Sequence, residues 1–599
     1  MIVNKVDKPQ HAWLSVDSDV CPLSVNAAHK YHQSNQANLI AELKLAESKP
    51  VEEIMPPIQL SFQLMTCAEP PEMVIASIES LLAIKAPDDE ILIIDNNNTA
   101  VELYQPLADF CNSLHQQLKV RFYHVDTVAG FKAGALNLAL QLMDAQSTHI
   151  VVVDSDYQAL PHSRSAIAAA IHNYPDCALL QFPQFYRDAE RLEVDSELNH
   201  YFNYHLYRRF NRQRALSTGT YAVIQYPALI QLGGWSGASI TEDAQMGVLM
   251  HKQGLRSQFI PEVIATGLLP TTISDLMNQR RRWIYGNAQV LKGYADIASA
   301  PVLKALTQRS SKPTLSVLTN TDSDTFTQRL AYRRAHFSQL SAWINATGIF
   351  ILLQAITLLL LLVAVVTQSR FDTNLVLAPL YLVYASYGIY LTRRLWAYWH
   401  DESPLNRQLN PAMASTSASQ RLRVWVLHLN FWELGALSWL PVLWGRNKPF
   451  ICTPKLTIER NPRALLLENI FALPKLLLVL NLITAFIVSP FSALYSPLLF
   501  ACALSVCLLK ICAAKVMLTN YAYKKPEVKC ITKPVSQLII NPIIKSGIST
   551  VNDSLAGSQQ HSALSLISIN DEDEQAADCL VIKQPLNAAK TSNNHSANS

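Results

Sequence analysis

Asp154 and Asp156 stand one residue apart at the end of the apolar run HIVVVDSDYQ (149–158). In an extended chain, side chains at i and i+2 project to the same side, so the two carboxylates repel unless a cation lies between them. The same three residues also suit a solvated turn leaving a strand, and on these residues alone both readings stand. Three more clusters carry reactive side chains. SITEDAQMG (239–247) places Glu242 and Asp243 at the start of a helical pattern, as a capping segment or as a carboxylate able to act as base. NQRRRWIYG (278–286) packs three arginines against Trp283 and Tyr285, a solvated basic helix face or a seat for a diphosphate and a sugar ring. GFKAGALN (130–137) flanks Lys132 with glycines at the opening of a helix, a feature that does not by itself define an anion site. Taken in order, these are a divalent-metal pair, a base and a cation–aromatic cluster. They are the parts needed to move a sugar from a nucleotide diphosphate to a hydroxyl.

Those side chains need a scaffold, and the surrounding pattern supplies one. Strand-like stretches at 58–66, 90–95, 120–125, 149–154 and 177–182 alternate with helical ones such as 71–84 and 133–144. Such alternation predicts an α/β domain with a mostly parallel sheet, whose ligands bind beyond the carboxyl ends of the strands. Asp95 and the Asp154/Asp156 pair both fall at such ends.

Composition points to lipid for the rest of the chain. Half of the 599 residues are hydrophobic, 16% are charged and the net charge is +3, which gives no argument for nucleic acid. A soluble enzyme carries about a quarter charged residues. The ten cysteines form no C-x-x-C pair, which predicts a reducing compartment without disulfides. Uncharged runs at 338–369, 375–391 and 476–509, the last read as two helices meeting near Pro490 or Pro497 and continuing past Lys510, predict four spans. A basic amphipathic helix at 328–343, with Leu330, Phe337, Leu340 and Trp343 opposite Arg329, Arg333 and Arg334, predicts an interface helix before the first span. Basic residues around the runs put residues 1–337, 392–423, 446–475 and the tail from 520 on the cytoplasmic side. The Trp-rich segment 424–445 has basic residues on both flanks and Glu433 within, which predicts an interfacial or re-entrant helix. The expected layout is a polar extension (1–57), the α/β domain (58–300), a linker and interface helix (301–343), a membrane bundle (344–518) and a disordered tail (519–599).

The ordered series TCAEP (66–70), IIDNNNT (93–99), GFKAGALN, VDSDY (153–157), QFPQFYRD (181–188), STGTYAV (217–223), ITED (240–243) and QRRRW (279–283) resembles the processive branch of glycosyltransferase family 2. Cellulose and hyaluronan synthases belong to that branch, and the likeness is strongest to bacterial β-1,3-glucan glucosyltransferases. FICTPK (450–455) looks like the gating segment of cellulose synthases, with Phe450, Thr453 and Lys455 at its matching positions. The chain departs from the family pattern at Thr218–Tyr221 and in WSGASITED, which border the acceptor in the family.

The resemblance implies a GT-A fold on the cytoplasmic side of a bacterial inner membrane, with both termini cytoplasmic. It implies that Thr66, Glu69 and Asp95 hold uridine, and that Lys132 meets the diphosphate. Asp154 and Asp156 would hold Mg²⁺ or Mn²⁺, and Asp243, beside Glu242, would be the general base. Gln279, Arg282 and Trp283 would lie at the acceptor end and the diphosphate. The implied partners are a UDP-sugar, with UDP-glucose expected, a glucan acceptor, the lipid bilayer and export or regulatory proteins. The implied activity is β-glucan extension with translocation of the polymer. The alternatives are a non-processive transferase adding one sugar to a lipid or glycan, and an inactive member of an export complex.

Overall fold

The computed structural model describes residues 57–97, 100–125, 128, 130–187, 192–207, 212–294, 326–367, 372–400, 417–445 and 462–522. The expected gating residues Phe450, Thr453 and Lys455 lie outside the described residues, as do nearly all of the N-terminal extension and the tail beyond Ala522.

The first part is built on strands β1 (Leu60–Thr66), β2 (Glu90–Asp95), β3 (Val120–His124), β4 (His149–Asp154), β6 (Cys177–Gln181), β7 (Ala222–Gln225) and β8 (Arg256–Phe259). They form one sheet in the order β3-β2-β1-β4-β7-β6-β8. A separate short ribbon pairs β5 (Gln158–Ala159) with β9 (Ala265–Thr266). In the main sheet β7 alone runs antiparallel to its neighbours, so the sheet is mostly parallel as the alternation predicts.

Helices cover both faces, as parallel strands require. They are α1 (Pro71–Leu82), α2 (Val101–Ser113), α3 (Phe131–Leu142), α4 (Ser163–Asn173), α5 (Leu192–Tyr201), α6 (Tyr226–Leu232), α7 (Glu242–Lys252) and α8 (Ile273–Lys292). Alternate strand residues fill opposite cores. Leu60, Phe62, Leu64, Val151 and Val153 pack toward α1, α2 and α4, while Leu92, Ile94, Ile150 and Val152 pack toward α3, α6 and α7. The parallel register aligns Thr66 with Asp95 and Met65 with Asp154. Three neighbouring strands therefore deliver Thr66, Asp95 and Asp154 to one edge of the sheet. A one-residue slip would turn each of them to the other face.

The remaining helices are α9 (Phe326–Leu340), α10 (Thr347–Val366), α11 (Thr373–Trp399), α12 (Ala418–Leu437), α13 (Pro462–Ala472), α14 (Leu476–Ile487) and α15 (Pro497–Ala522). Two of them, α10 and α15, are long and apolar enough to cross a membrane, and α13 with α14 form a third candidate bent by 70°. Of the four expected spans, the run at 375–391 lies in α11. That helix has 27 residues and carries Arg393 and Arg394 after the uncharged run.

Helix α12, expected to be interfacial or re-entrant, is enclosed by protein along most of its length. Every residue from Val424 to Ala436 is buried by protein, against α5 and α8 on one side and α10, α11 and α15 on the other. Gly435 permits that closure, because a Cβ there would collide with the carbonyl of Trp343. Helix α9, within the stretch expected to lie at the interface, docks on the α/β domain. Its Ala335, His336, Gln339 and Leu340 are buried, and Gln339 accepts from the Leu216 N–H (2.8 Å) and donates to the Arg214 carbonyl (2.9 Å). Leu330 and Phe337 stay exposed, so only part of the apolar face read from the sequence packs on the α/β domain.

Candidate active site

The edge that collects Thr66 and Asp154 opens into a cavity of about 270 Å³. Thr66, Glu69, Lys132, Asp154, Asp156, Glu242, Asp243, Gln279, Arg282 and Trp283, drawn from separate segments of the chain, all line it. Of the site residues that lie in the described chain, Asp95 alone is not in its wall. Asp95 is fully buried behind the wall, accepting from the Asn97 side-chain amide and backbone N–H and sharing a hydrogen bond of 2.7 Å with His124 Nδ1, while Ile94 and Asn96 reach the cavity.

Local geometry explains how each group arrives. Lys132 rides on the first turn of α3, which begins after a left-handed turn at Gly130 (φ 87°) and Phe131 (φ 56°). A non-glycine residue in that region costs of order 1 kcal/mol or more, and such strain clusters at functional sites. The turn aims the Lys132 ammonium at Asp154 Oδ1 (2.5 Å), with Glu242 Oε1 at 4.0 Å. Burial alone would lower the lysine pKa, but Asp154, Glu242 and Asp243 outweigh it and hold the proton on. Ser155 donates to Glu69, and Asp156 Oδ2 accepts from the Leu268 N–H (3.3 Å).

Glu242 and Asp243 open α7, where the helix dipole favours negative charge. Thr241 makes no side-chain cap, so the capping reading fails for its hydroxyl. Burial raises the pKa of both carboxyls, and in Asp243 burial and the charge of Glu242 together carry it to about 7. Gly219 (φ 94°) gives this carboxyl its room, since a Cβ there would lie 3.3 Å from Asp243 Oδ2.

Asp243 also borders a second cavity of about 60 Å³, walled by Tyr201, Trp283, Trp343 and Asn287. Tyr201 and Trp343 stack in parallel at 5.4 Å, and Trp283 lies 6.0 Å from Trp343. Beyond Tyr201 and Trp343 a third cavity, about 40 Å³, continues to Tyr398, Phe431 and Trp432 of the helical part. One carboxyl thus stands between a polar chamber and an aromatic one.

The sequence reading missed three contributors. Arg280, counted only as one of three arginines, is fully buried, holds Glu197 at 2.8 Å and lies 4.2 Å over the Trp283 ring. Tyr201 and Trp343 build the second cavity from segments far apart in the chain. An arginine between two motif residues was the available signal for the first; nothing local marks the other two.

The wall also has the character of a ligand site. The hydroxyls of Thr66, Thr218 and Thr241 are buried without a hydrogen-bond partner among the described residues, and all three line the large cavity. Unpaired buried hydroxyls are costly unless a ligand or water meets them. No three His, Cys, Asp or Glu side chains among the described residues converge as a metal cage. Yet five carboxylates, those of Glu69, Asp154, Asp156, Glu242 and Asp243, share the wall with two cations, Lys132 and Arg282. The excess negative charge, with an ammonium already drawn onto Asp154, fits a hard divalent cation whose other ligands come from a diphosphate.

The fold joins a mostly parallel GT-A sheet, with the cavity at its carboxyl edge, to apolar helices. The family model "Glycosyl transferase family group 2" matches residues 149–511, more than half of the chain, and "Glycosyl transferase family 2" matches 62–233; the chain belongs to this family. Among curated proteins it is 27% identical over 168 residues to a UDP-forming cellulose synthase of Dictyostelium discoideum, covering 26% of this chain and 16% of that one. It is 27% identical over 195 residues to a UDP-forming cellulose synthase of Pseudomonas fluorescens, covering 31% and 25%; both relatives are the catalytic chains of their enzymes. It is 26% identical over 184 residues to probable glucomannan 4-beta-mannosyltransferase 1 of Arabidopsis thaliana, covering 30% and 33%. The matches therefore span a third or less of those relatives. Among solved structures, the mannosyltransferase PcManGT from Pyrobaculum calidifontis is 14% identical with a TM-score of 0.39, over 72% of this chain and 100% of that one.

Proposed function

We propose that the protein is a membrane-embedded inverting transferase that moves glucose from UDP-glucose to the end of a growing β-glucan and feeds the product toward its own helices. The observation that carries this reading is the position of Asp243, in the wall of both the polar cavity and the aromatic one. A nucleotide sugar suits the first, with its unpaired threonine hydroxyls and cations. A sugar chain suits the second, since pyranose faces stack on tyrosine and tryptophan rings.

In this reading the acceptor hydroxyl approaches from the aromatic side. Asp243 takes its proton while the hydroxyl oxygen bonds to the anomeric carbon and the bond to the diphosphate breaks. Attack opposite the leaving group turns an α-linked donor into a β-linked product. Lys132 and Arg282 meet the charge that collects on the departing diphosphate. Asp154 and Asp156 would hold Mg²⁺ or Mn²⁺, whose chemistry is to neutralise that same charge. Thr66 and Glu69 would hold the nucleoside, with Asp95 bracing the strand end behind them. Gln279 and Trp283 would seat the acceptor. The aromatic cavities that continue to Trp432 support an exit path through the helices, and the cytoplasmic placement of the catalytic part follows from its need for nucleotide sugar.

A second reading is favoured by the glucomannan mannosyltransferases among the relatives: GDP-mannose as donor and a β-mannan-type product. Purified protein in lipid nanodiscs, given labelled UDP-glucose or GDP-mannose with Mg²⁺ or Mn²⁺, separates them. Polymer from UDP-glucose alone, β-linked on linkage analysis, is expected. Single-sugar addition, or turnover with GDP-mannose only, would overturn the proposal.

A further inference from the structure

A fourth cavity, of about 280 Å³, lies away from the catalytic one, where α8, the end of α12 and the break between α13 and α14 meet. Its wall holds two cations, Arg281 and Lys475, among apolar side chains including Leu437, Pro441 and Leu476. Arg281 is the one arginine of QRRRW that the site does not use. Its guanidinium donates to Asn278 Oδ1 (3.0 Å), and no carboxylate among the described residues pairs with it. Burial pushes its pKa down with no compensating acid, the mark of a cation that lacks its counter-charge. Lys475 donates to the Phe471 carbonyl (3.2 Å) and lies 4.6 Å over the Phe471 ring, again without an acid.

The remaining charge in the wall is Glu433, and it is already neutralised. One oxygen lies 2.6 Å from the Lys510 ammonium and the other accepts from the Leu477 N–H at 2.9 Å. Among the described residues, an anion entering here therefore meets two unpaired positive charges and no unpaired negative one. The surroundings say at what level this happens. Leu443, Trp444 and Phe471 are exposed on the flanking segments, and Lys475 stands immediately before the apolar helix α14, where the last uncharged run of the sequence begins. Exposed tryptophan and lysine at the end of an apolar helix mark the bilayer–water boundary.

We propose that this cavity binds one anionic phospholipid, its phosphate between Arg281 and Lys475 and its acyl chains along Leu437, Pro441 and Leu476. Because Arg281 precedes Arg282 and Trp283 on α8, the bound headgroup would brace the helix that presents them. The site stands independently of which sugar the enzyme transfers.

The test is native mass spectrometry of the full chain, released from detergent after titration with phosphatidylglycerol or phosphatidylcholine. The wild type should retain one phosphatidylglycerol in preference to phosphatidylcholine. Arg281→Gln and Lys475→Gln should each weaken retention about fivefold, the effect of one basic residue at a charged lipid surface. Leu437→Trp keeps both cations but fills the acyl space and should also reduce retention. Circular dichroism and a monodisperse elution profile identify variants that remain folded, and any one of the three suffices for the comparison. Equal retention of the two lipids, wild-type retention in the folded variants, or displacement of phosphatidylglycerol by millimolar inorganic phosphate would overturn the proposal.

Discussion

Asp243 and Glu433 are acids on helices, the first half-buried between two cavities and the second fully buried, and they are treated in opposite ways. Glu433, in α12, has a dedicated ammonium at 2.6 Å and a backbone donor at 2.9 Å, so both of its oxygens are occupied. Asp243, in α7, has a second acid beside it and a cavity on either side, and its pKa rises to about 7 through burial and that neighbour. A satisfied buried carboxylate holds helices together. A crowded one that faces open space is poised to exchange a proton near neutral pH. In the proposed reading the partners, more than burial, mark the acid that reacts.

The comparison can be broken at several points. On the catalytic side, Asp156→Asn should remove turnover and its dependence on divalent metal together. The loss should be about 10³-fold, several kcal/mol of stabilisation of the departing charge, with membrane yield unchanged. Normal product from that variant would remove Asp156 from the site. In the helical part, Glu433→Gln should strand Lys510 and destabilise the fold by about 3–5 kcal/mol, read as a lower melting temperature in detergent. Adding Lys510→Met to that variant should recover most of the loss; without recovery, the pair is not what holds α12 to α15.

The Asp243 pKa gives a sharper test. The base must be ionised to act, so turnover should fall about tenfold per pH unit as pH drops below about 7. A flat profile between pH 6 and 8 would mean that another group accepts the proton. The smallest effect belongs to the aromatic wall. Trp343→Leu removes one ring of the Tyr201–Trp343 stack. It should cost about 0.5–1.5 kcal/mol, a few-fold rise in acceptor KM and shorter products, with donor KM unchanged.

The two regions also differ in how much of them the sequence carries. Asp154, Asp156, Glu242 and Asp243 are legible because each sits where a regular element begins or ends, and strand ends in a parallel sheet converge in space. Five of the seven strands of the main sheet follow from alternation; β7 and β8 do not, being four residues long with few branched apolar side chains in β8. The second cavity is not legible at all. Tyr201, Trp283 and Trp343 come together only because α5, α8 and the segment after α9 pack, and no local pattern encodes that meeting. The partner of Arg280 is 83 positions away, at Glu197. Helix α12 looks interfacial by its flanking charges, yet Lys510 answers Glu433 from α15, and only tertiary structure reveals that match.

The most direct test of the account is Asp243→Asn, with donor binding and transfer measured on the same preparation. The amide keeps the shape of the side chain but cannot take the acceptor proton. Titration calorimetry with the nucleotide sugar should give a Kd close to that of the wild type, while product formation falls by about 10²- to 10⁴-fold. Loss of donor affinity in parallel with rate would make Asp243 a binding residue, and undiminished transfer would contradict its place between the two cavities as the base.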